Sequence, residues 1–220
     1  GTLALPDGWL QHPATRQAYG QLRALISGVV DQQKGLWAIK DPRSSRLLPL
    51  WLELCRELAI PLRLLLAVRD PSEVVTSLVR RDGPLVGMDV NRAQQLWWRH
   101  NLEVVETARA AGLALPVVDF DIWFQQPERQ LDSLLEVLPV LQPSADQREK
   151  ALALIKPGHR RSLSKDAARG LDPALPRLHK HLLRKPLANR VPPSSPPKRL
   201  VQALTQHSQG ALLGASPECW

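Results

Sequence analysis

The sequence predicts an α/β fold, a three-layer sandwich in which helices cover both faces of a parallel sheet. Short apolar runs at residues 36–39, 62–68 and 115–118 alternate with longer stretches whose apolar residues recur at helical spacing. Each run ends in polar residues: Lys40-Asp41-Pro42-Arg43, Arg69-Asp70-Pro71 and Asp119-Phe120-Asp121. Strands joined through helices pair in parallel, and in such sheets the loops at the carboxyl ends of the strands carry function.

The elements follow in order. Leu36, Trp37, Ala38 and Ile39 form the first expected strand, and Leu47, Leu50, Trp51, Leu54 and Leu58 share a face of a helix over residues 45–58. Residues 62–68 are apolar except for Arg63, as befits a strand buried on both sides. Asp70-Pro71 then opens a helix to about Arg81, since Pro suits the first helical turn. Asp89 caps a long helix through Ala111, with Leu96, Trp97, Val104 and Ala108 at helical spacing and Gly112 at its end. After the run at 115–118, Pro127 starts a helix with Leu131, Leu134, Leu135 and Leu138 on one side, and residues 144–155 form another. Pro192-Pro193-Ser194-Ser195-Pro196-Pro197 supports neither helix nor central strand and reads as a linker. The expected organisation is one domain over 1–190 and a Pro/Ser-rich linker with a basic tail over 191–220.

The chain has 220 residues, 44% hydrophobic and 23% charged, enough apolar material for one core. No run approaches the roughly 20 apolar residues that cross a bilayer, and the first ten residues lack a secretion signal. The expectation is a soluble, cytoplasmic protein without a transmembrane segment. Cys55 and Cys219 are too far apart in sequence for a disulfide framework or cysteine zinc site, which fits a reducing compartment. The net charge of +8 is concentrated at the end: twelve Lys and Arg from Lys156 onward face only Asp166, Asp172 and Glu218. Such a tail either attracts a polyanion or is a solvated basic segment without a partner.

The chemistry lies at the strand ends. Arg69 ends an apolar strand, where an unpaired guanidinium is costly, and the helix after it offers free N–H groups and the positive end of its dipole. A phosphate satisfies both. Ser77 and Arg81 follow along that helix on one face, so Arg69, Ser77 and Arg81 are expected to converge on one anionic group. The competing reading pairs Arg69 with a carboxylate such as Asp41 or Asp119.

The segment Arg69-Asp70-Pro71-Ser72-Glu73-Val74-Val75-Thr76-Ser77-Leu78-Val79-Arg80-Arg81 resembles the 3′-phosphate-binding segment of sulfotransferases that use 3′-phosphoadenosine 5′-phosphosulfate. In that family an Arg at a strand end and a Ser eight positions later hold the 3′-phosphate, the places of Arg69 and Ser77. Arg81 matches a second Arg found in some relatives. The stretch from Trp37 to Arg43, Leu48-Pro49-Leu50-Trp51 and Leu96-Trp97-Trp98-Arg99-His100-Asn101 resemble a bacterial branch of the same superfamily, and the likeness runs from about Leu5 to Arg161. It implies a P-loop NTPase-like fold and transfer of a sulfuryl group to a hydroxyl or amine by in-line displacement, without a metal or covalent intermediate. The acceptor is a small molecule or glycan, and no specific nucleic acid is implied.

By the same resemblance Lys40 faces the transferred sulfuryl group and stabilises its charge in the transition state. The other reading makes Lys40 an ion-pair partner of Asp41 or of a carboxylate on a neighbouring helix. Arg43 either binds an acidic acceptor or pairs with Asp119. Phe120 stands where relatives often carry Tyr. The base is unplaced: His159 lies in a loop faintly similar to the family's late Lys-Gly segment, whereas His100 reads as a packed or surface histidine. The family's Gly-rich loop for the 5′-phosphosulfate has no counterpart before Lys40, and the expected first strand is missing with it. The chain alone is therefore expected to bind the donor poorly. The alternative is a degenerate, non-catalytic module that binds an anionic partner through its basic tail; a kinase-like phosphotransferase ranks below both.

Overall fold

The computed structural model describes residues 5–32, 35–156, 158 and 170–184. After a short 3₁₀ turn at Trp9–Gln11 comes α1 (Pro13–Gln32), ahead of the first element that the sequence predicts. Pro13 occupies its first position, where a missing N–H costs nothing, and Tyr19 and Ile26, seven residues apart, turn one stripe inward. A second 3₁₀ turn, Pro42–Ser45, leads into α2 (Leu48–Glu57). Then come β1 (Leu66–Val68), α3 (Pro71–Val86), α4 (Val90–Ala110) and β2 (Val117–Asp119). The short α5 (Ile122–Gln125), α6 (Pro127–Val137), α7 (Ala145–Ala153) and α8 (Ala174–Leu182) complete the described elements.

The architecture is α/β but dominated by helices. β1 and β2 pair in parallel with Leu66 opposite Val117 and Val68 opposite Asp119, and α3 and α4 intervene between them in the chain. Leu66 N–H donates to Pro116 and Phe120 N–H to Val68, so the pairing runs just past both ends of the assigned strands. The first expected strand, at 36–39, is not formed: the segment has no strand partner among the described residues, and Leu36 and Ile39 are exposed. Nor is β1 buried on both faces: Leu66 and Val68 point inward while Leu65 and Ala67 are exposed. An apolar run without polar alternation is compatible with a covered strand, but cover depends on a neighbouring layer that local sequence does not report.

Two clusters form the core. Trp97, Trp98, Leu102, Val105 and Ala108 of α4 meet Leu66, Val68, Leu115 and Val117 from the sheet region and Leu175, Leu178 and Leu182 of α8. Tyr19 and Ile26 of α1 meet Leu50 and Leu54 of α2, with Trp37 and Trp51 alongside. Tyr19 O–H also donates to the Glu57 carboxylate, tying α1 to the end of α2.

The caps agree with the sequence. Asp70 accepts from Ser72 N–H at 2.8 Å, and Asp89 from Arg92 N–H at 2.8 Å. Ser144 and Gln147 form a reciprocal capping box at α7. α3 outruns its expected end at Arg81, continuing through Pro84 to Gly87, which takes a φ of 61° and donates to Gly83. α8 lies beyond the last helix that the sequence predicts. Gln94 of α4 anchors its approach by accepting from Asp172 N–H at 2.6 Å and donating to Gly170 at 3.3 Å.

Candidate functional site

α4 brings the loops at Lys40–Arg43 and Arg69–Pro71 together. Trp97 Nε1 donates to the Arg69 carbonyl at 3.1 Å, and three residues later His100 Nδ1 lies 2.8 Å from the Pro42 carbonyl. Residues three apart on a helix share a face, about one turn along the axis. The Lys40–Arg43 loop and the Arg69–Pro71 loop therefore sit side by side against one face of α4. Neither bond is visible in the local sequence around either loop.

At the second loop the competing reading of Arg69 proves half right: the guanidinium is paired, but with neither Asp41 nor Asp119. Its partner is Glu73, one turn into α3, with Nε donating to Oε2 at 2.9 Å. Nη2 is also 2.9 Å from that oxygen but off the line of a hydrogen bond, and it is buried. The cation is stacked as well, its central carbon 4.7 Å from the centre of the Phe120 ring, and Phe124 packs edge-on against Phe120. Phe120 thus supplies an aromatic face to Arg69. Asp119 instead accepts from Asp121 N–H at 2.9 Å, within its own turn.

Ser77 lies on α3, partly buried, and no side-chain hydrogen bond to it is seen among the described residues. Arg81 is one turn further on, but its side chain is 68% exposed and bonded to Asp82, with Nε–Oδ1 at 2.6 Å and Nη2–Oδ2 at 2.8 Å. Arg69, Ser77 and Arg81 occupy the expected elements, while the two arginines are each engaged by a carboxylate close in sequence.

At the first loop Asp41 caps the 3₁₀ turn through Arg43 N–H at 2.8 Å and grips the Arg43 guanidinium, Nη2–Oδ2 at 2.6 Å. Those bonds, with a smaller contribution from Lys40, bring the Asp41 pKa down to about 2. This answers the open question about Arg43: it pairs with Asp41, not with Asp119. Lys40 itself is exposed and makes no ion pair with a described residue.

His100, read from the sequence as a packed or surface histidine, is partly buried and hydrogen-bonded. Its Nδ1 lies 2.8 Å from both the Pro42 carbonyl and Ser45 Oγ, and Ser45 Oγ donates to the same carbonyl at 2.8 Å. Beside it Glu103 takes Arg46 Nε at 2.8 Å and lies 3.5 Å from Arg99 Nη1, while Arg99 stacks over Trp98. Burial foremost, and the Arg46 charge, push the His100 pKa down, against its bond to Pro42 and the Glu103 carboxylate. The available signal was its spacing of three from Trp97. His159, the other candidate base, and the tail 191–220 lie outside the described residues. A shallow hollow of about 240 Å³ near Val30, Trp37 and Leu58 is elsewhere and contains no titratable side chain.

No family model, curated protein or solved structure matches the chain. Among the described residues no helix is long and apolar enough to cross a membrane.

Proposed function

We propose that the chain is a sulfotransferase-type module that holds the 3′-phosphate of 3′-phosphoadenosine 5′-phosphosulfate at Arg69 and serves sulfuryl transfer to a hydroxyl or amine acceptor. The observation that carries this reading is the placement of Arg69. Its guanidinium stands at the carboxyl end of a parallel strand, beside the N-terminus of α3, with a buried Nη2 that makes no aligned hydrogen bond among the described residues. A strand end followed by a helix start is where an anion gains both a charge-assisted hydrogen bond and the helix dipole. Ser77 adds a hydroxyl on the same helix, and Lys40, on the loop held against the same face of α4, is the cation for the sulfuryl oxygens. Arg81 reaches the phosphate only after exchanging Asp82 for it.

The Arg69–Glu73 pair favours the second reading, a non-catalytic module, because a guanidinium already satisfied by a carboxylate needs no ligand. Calorimetric titration with adenosine 3′,5′-bisphosphate separates the two. Binding that is lost in Arg69→Ala, and lost with adenosine 5′-phosphate, supports the nucleotide site. No binding by the folded chain refutes it and favours the non-catalytic module.

A further inference from the structure

We infer that His100 is the general base of this chain, its Nε2 taking the proton from the acceptor hydroxyl; the inference rests on the sulfotransferase reading above. The argument begins with the hydrogen bonds around one ring nitrogen. A carbonyl oxygen only accepts, so an Nδ1 that lies 2.8 Å from the Pro42 carbonyl carries the hydrogen. Ser45 Oγ then spends its own hydrogen on that carbonyl at 2.8 Å and stands to Nδ1 as an acceptor, also at 2.8 Å. The neutral ring is thereby fixed in one tautomer, with the lone pair on Nε2. No hydrogen bond engages Nε2 among the described residues, and the ring is only partly buried.

Position agrees with chemistry. The carbonyl that orients the ring belongs to Pro42, two residues after Lys40, so base and sulfuryl-stabilising cation belong to one loop–helix junction. The groups facing the ring are Arg46 from the end of the 3₁₀ turn and Glu103 from α4, with Arg99 sharing Glu103. Burial foremost, and the Arg46 charge, disfavour an imidazolium against the pull of Pro42 and Glu103, which keeps the base in its working form at neutral pH.

In the step itself the acceptor oxygen forms a bond to sulfur as its proton passes to Nε2. The bond from sulfur to the bridging phosphate oxygen breaks, and its electron pair leaves on adenosine 3′,5′-bisphosphate. Lys40 stabilises the charge on the sulfuryl oxygens, and His100 later loses the proton to water.

The test uses the full chain and His100→Gln, whose amide still donates to Pro42. Transfer of labelled sulfuryl from the phosphosulfate donor is measured to benzyl alcohol, which is un-ionised, and to p-nitrophenol, which at mildly alkaline pH is already an anion. Loss of a general base is expected to slow transfer to the alcohol about 100-fold or more, with transfer to the nitrophenolate little changed. An equal loss with both acceptors, or no loss, overturns the inference. Nucleotide binding without any transfer by the wild-type chain overturns a catalytic role for His100 while leaving the nucleotide site standing. No nucleotide binding refutes the underlying reading instead. Long-range proton–nitrogen NMR of the wild-type ring tests the tautomer without turnover: an unprotonated Nε2 supports the inference, and a neutral ring protonated at Nε2 overturns it.

Discussion

Replacing Glu73 by Gln is expected to move stability and nucleotide affinity in opposite directions. In the structure Glu73 accepts an aligned bond from Arg69 Nε at 2.9 Å, with the two side chains only 10% and 24% exposed. A hydrogen bond to a charged group in such a setting contributes about 1.5–3 kcal/mol, and a neutral acceptor recovers roughly half of it. Glu73→Gln should therefore destabilise the fold by about 0.8–1.5 kcal/mol. A phosphate arriving at Arg69 must displace or share that carboxylate, and it meets the repulsion of a like charge as well. Removing the competitor should tighten binding of adenosine 3′,5′-bisphosphate by the equivalent of 1–2 kcal/mol, about 5- to 30-fold. Urea unfolding reads the first effect and calorimetry the second. If the folded variant binds the nucleotide no more tightly than the wild type, the reasoning that Glu73 holds Arg69 against a ligand is wrong.

Three further outcomes test the frame around the site. Leu178 of α8 is fully buried, so Leu178→Ala should cost about 2–5 kcal/mol in urea unfolding; a cost near zero would show that α8 is not part of the core. Tyr19 is the single tyrosine, and desolvation, then its bond to Glu57, pushes its pKa up to about 12. Its folded pKa lies above the ordinary 10.0, so the stability linked to the un-ionised phenol is present below 10 and lost as pH rises through about 12; absorbance titration should place its ionisation there and not near 10. His100 has the opposite sign. Its folded pKa is lowered, so the unfolded chain binds the extra proton, and stability is full above about 6.5 and falls as the pH drops through the lowered value. In His100→Gln that acid-side loss, followed by urea unfolding across the range, should flatten.

The sequence carried the elements whose causes are local. The helix starts at Asp70 and Asp89 and the stop at Gly112 are side-chain or backbone preferences acting within a few residues, and they are found where expected. The alternation of apolar runs and helical patterns likewise fixed a parallel pairing of the segments around 62–68 and 115–118. Periodicity also marks α1 and α8 in retrospect: Tyr19 with Ile26, and Leu175 with Leu178 and Leu182, form inward stripes.

Tertiary structure decided the rest, because it concerns which surfaces meet. The run at 36–39 has the composition of a strand, yet a strand exists only where a second backbone supplies its hydrogen bonds, and none among the described residues does. Arg69 was legible as a cation needing a partner, but a phosphate and a carboxylate such as Asp41 or Asp119 both fitted the sequence; only the folded chain sets Glu73 and Phe120 against it. His100 looked like an ordinary helical histidine because its significance is a bond to a carbonyl fifty-eight residues earlier. Sequence determined which charged and polar side chains these loops carry, and packing along α4 determined which of them stand together, since contacts between distant segments depend on the whole core and not on local propensity.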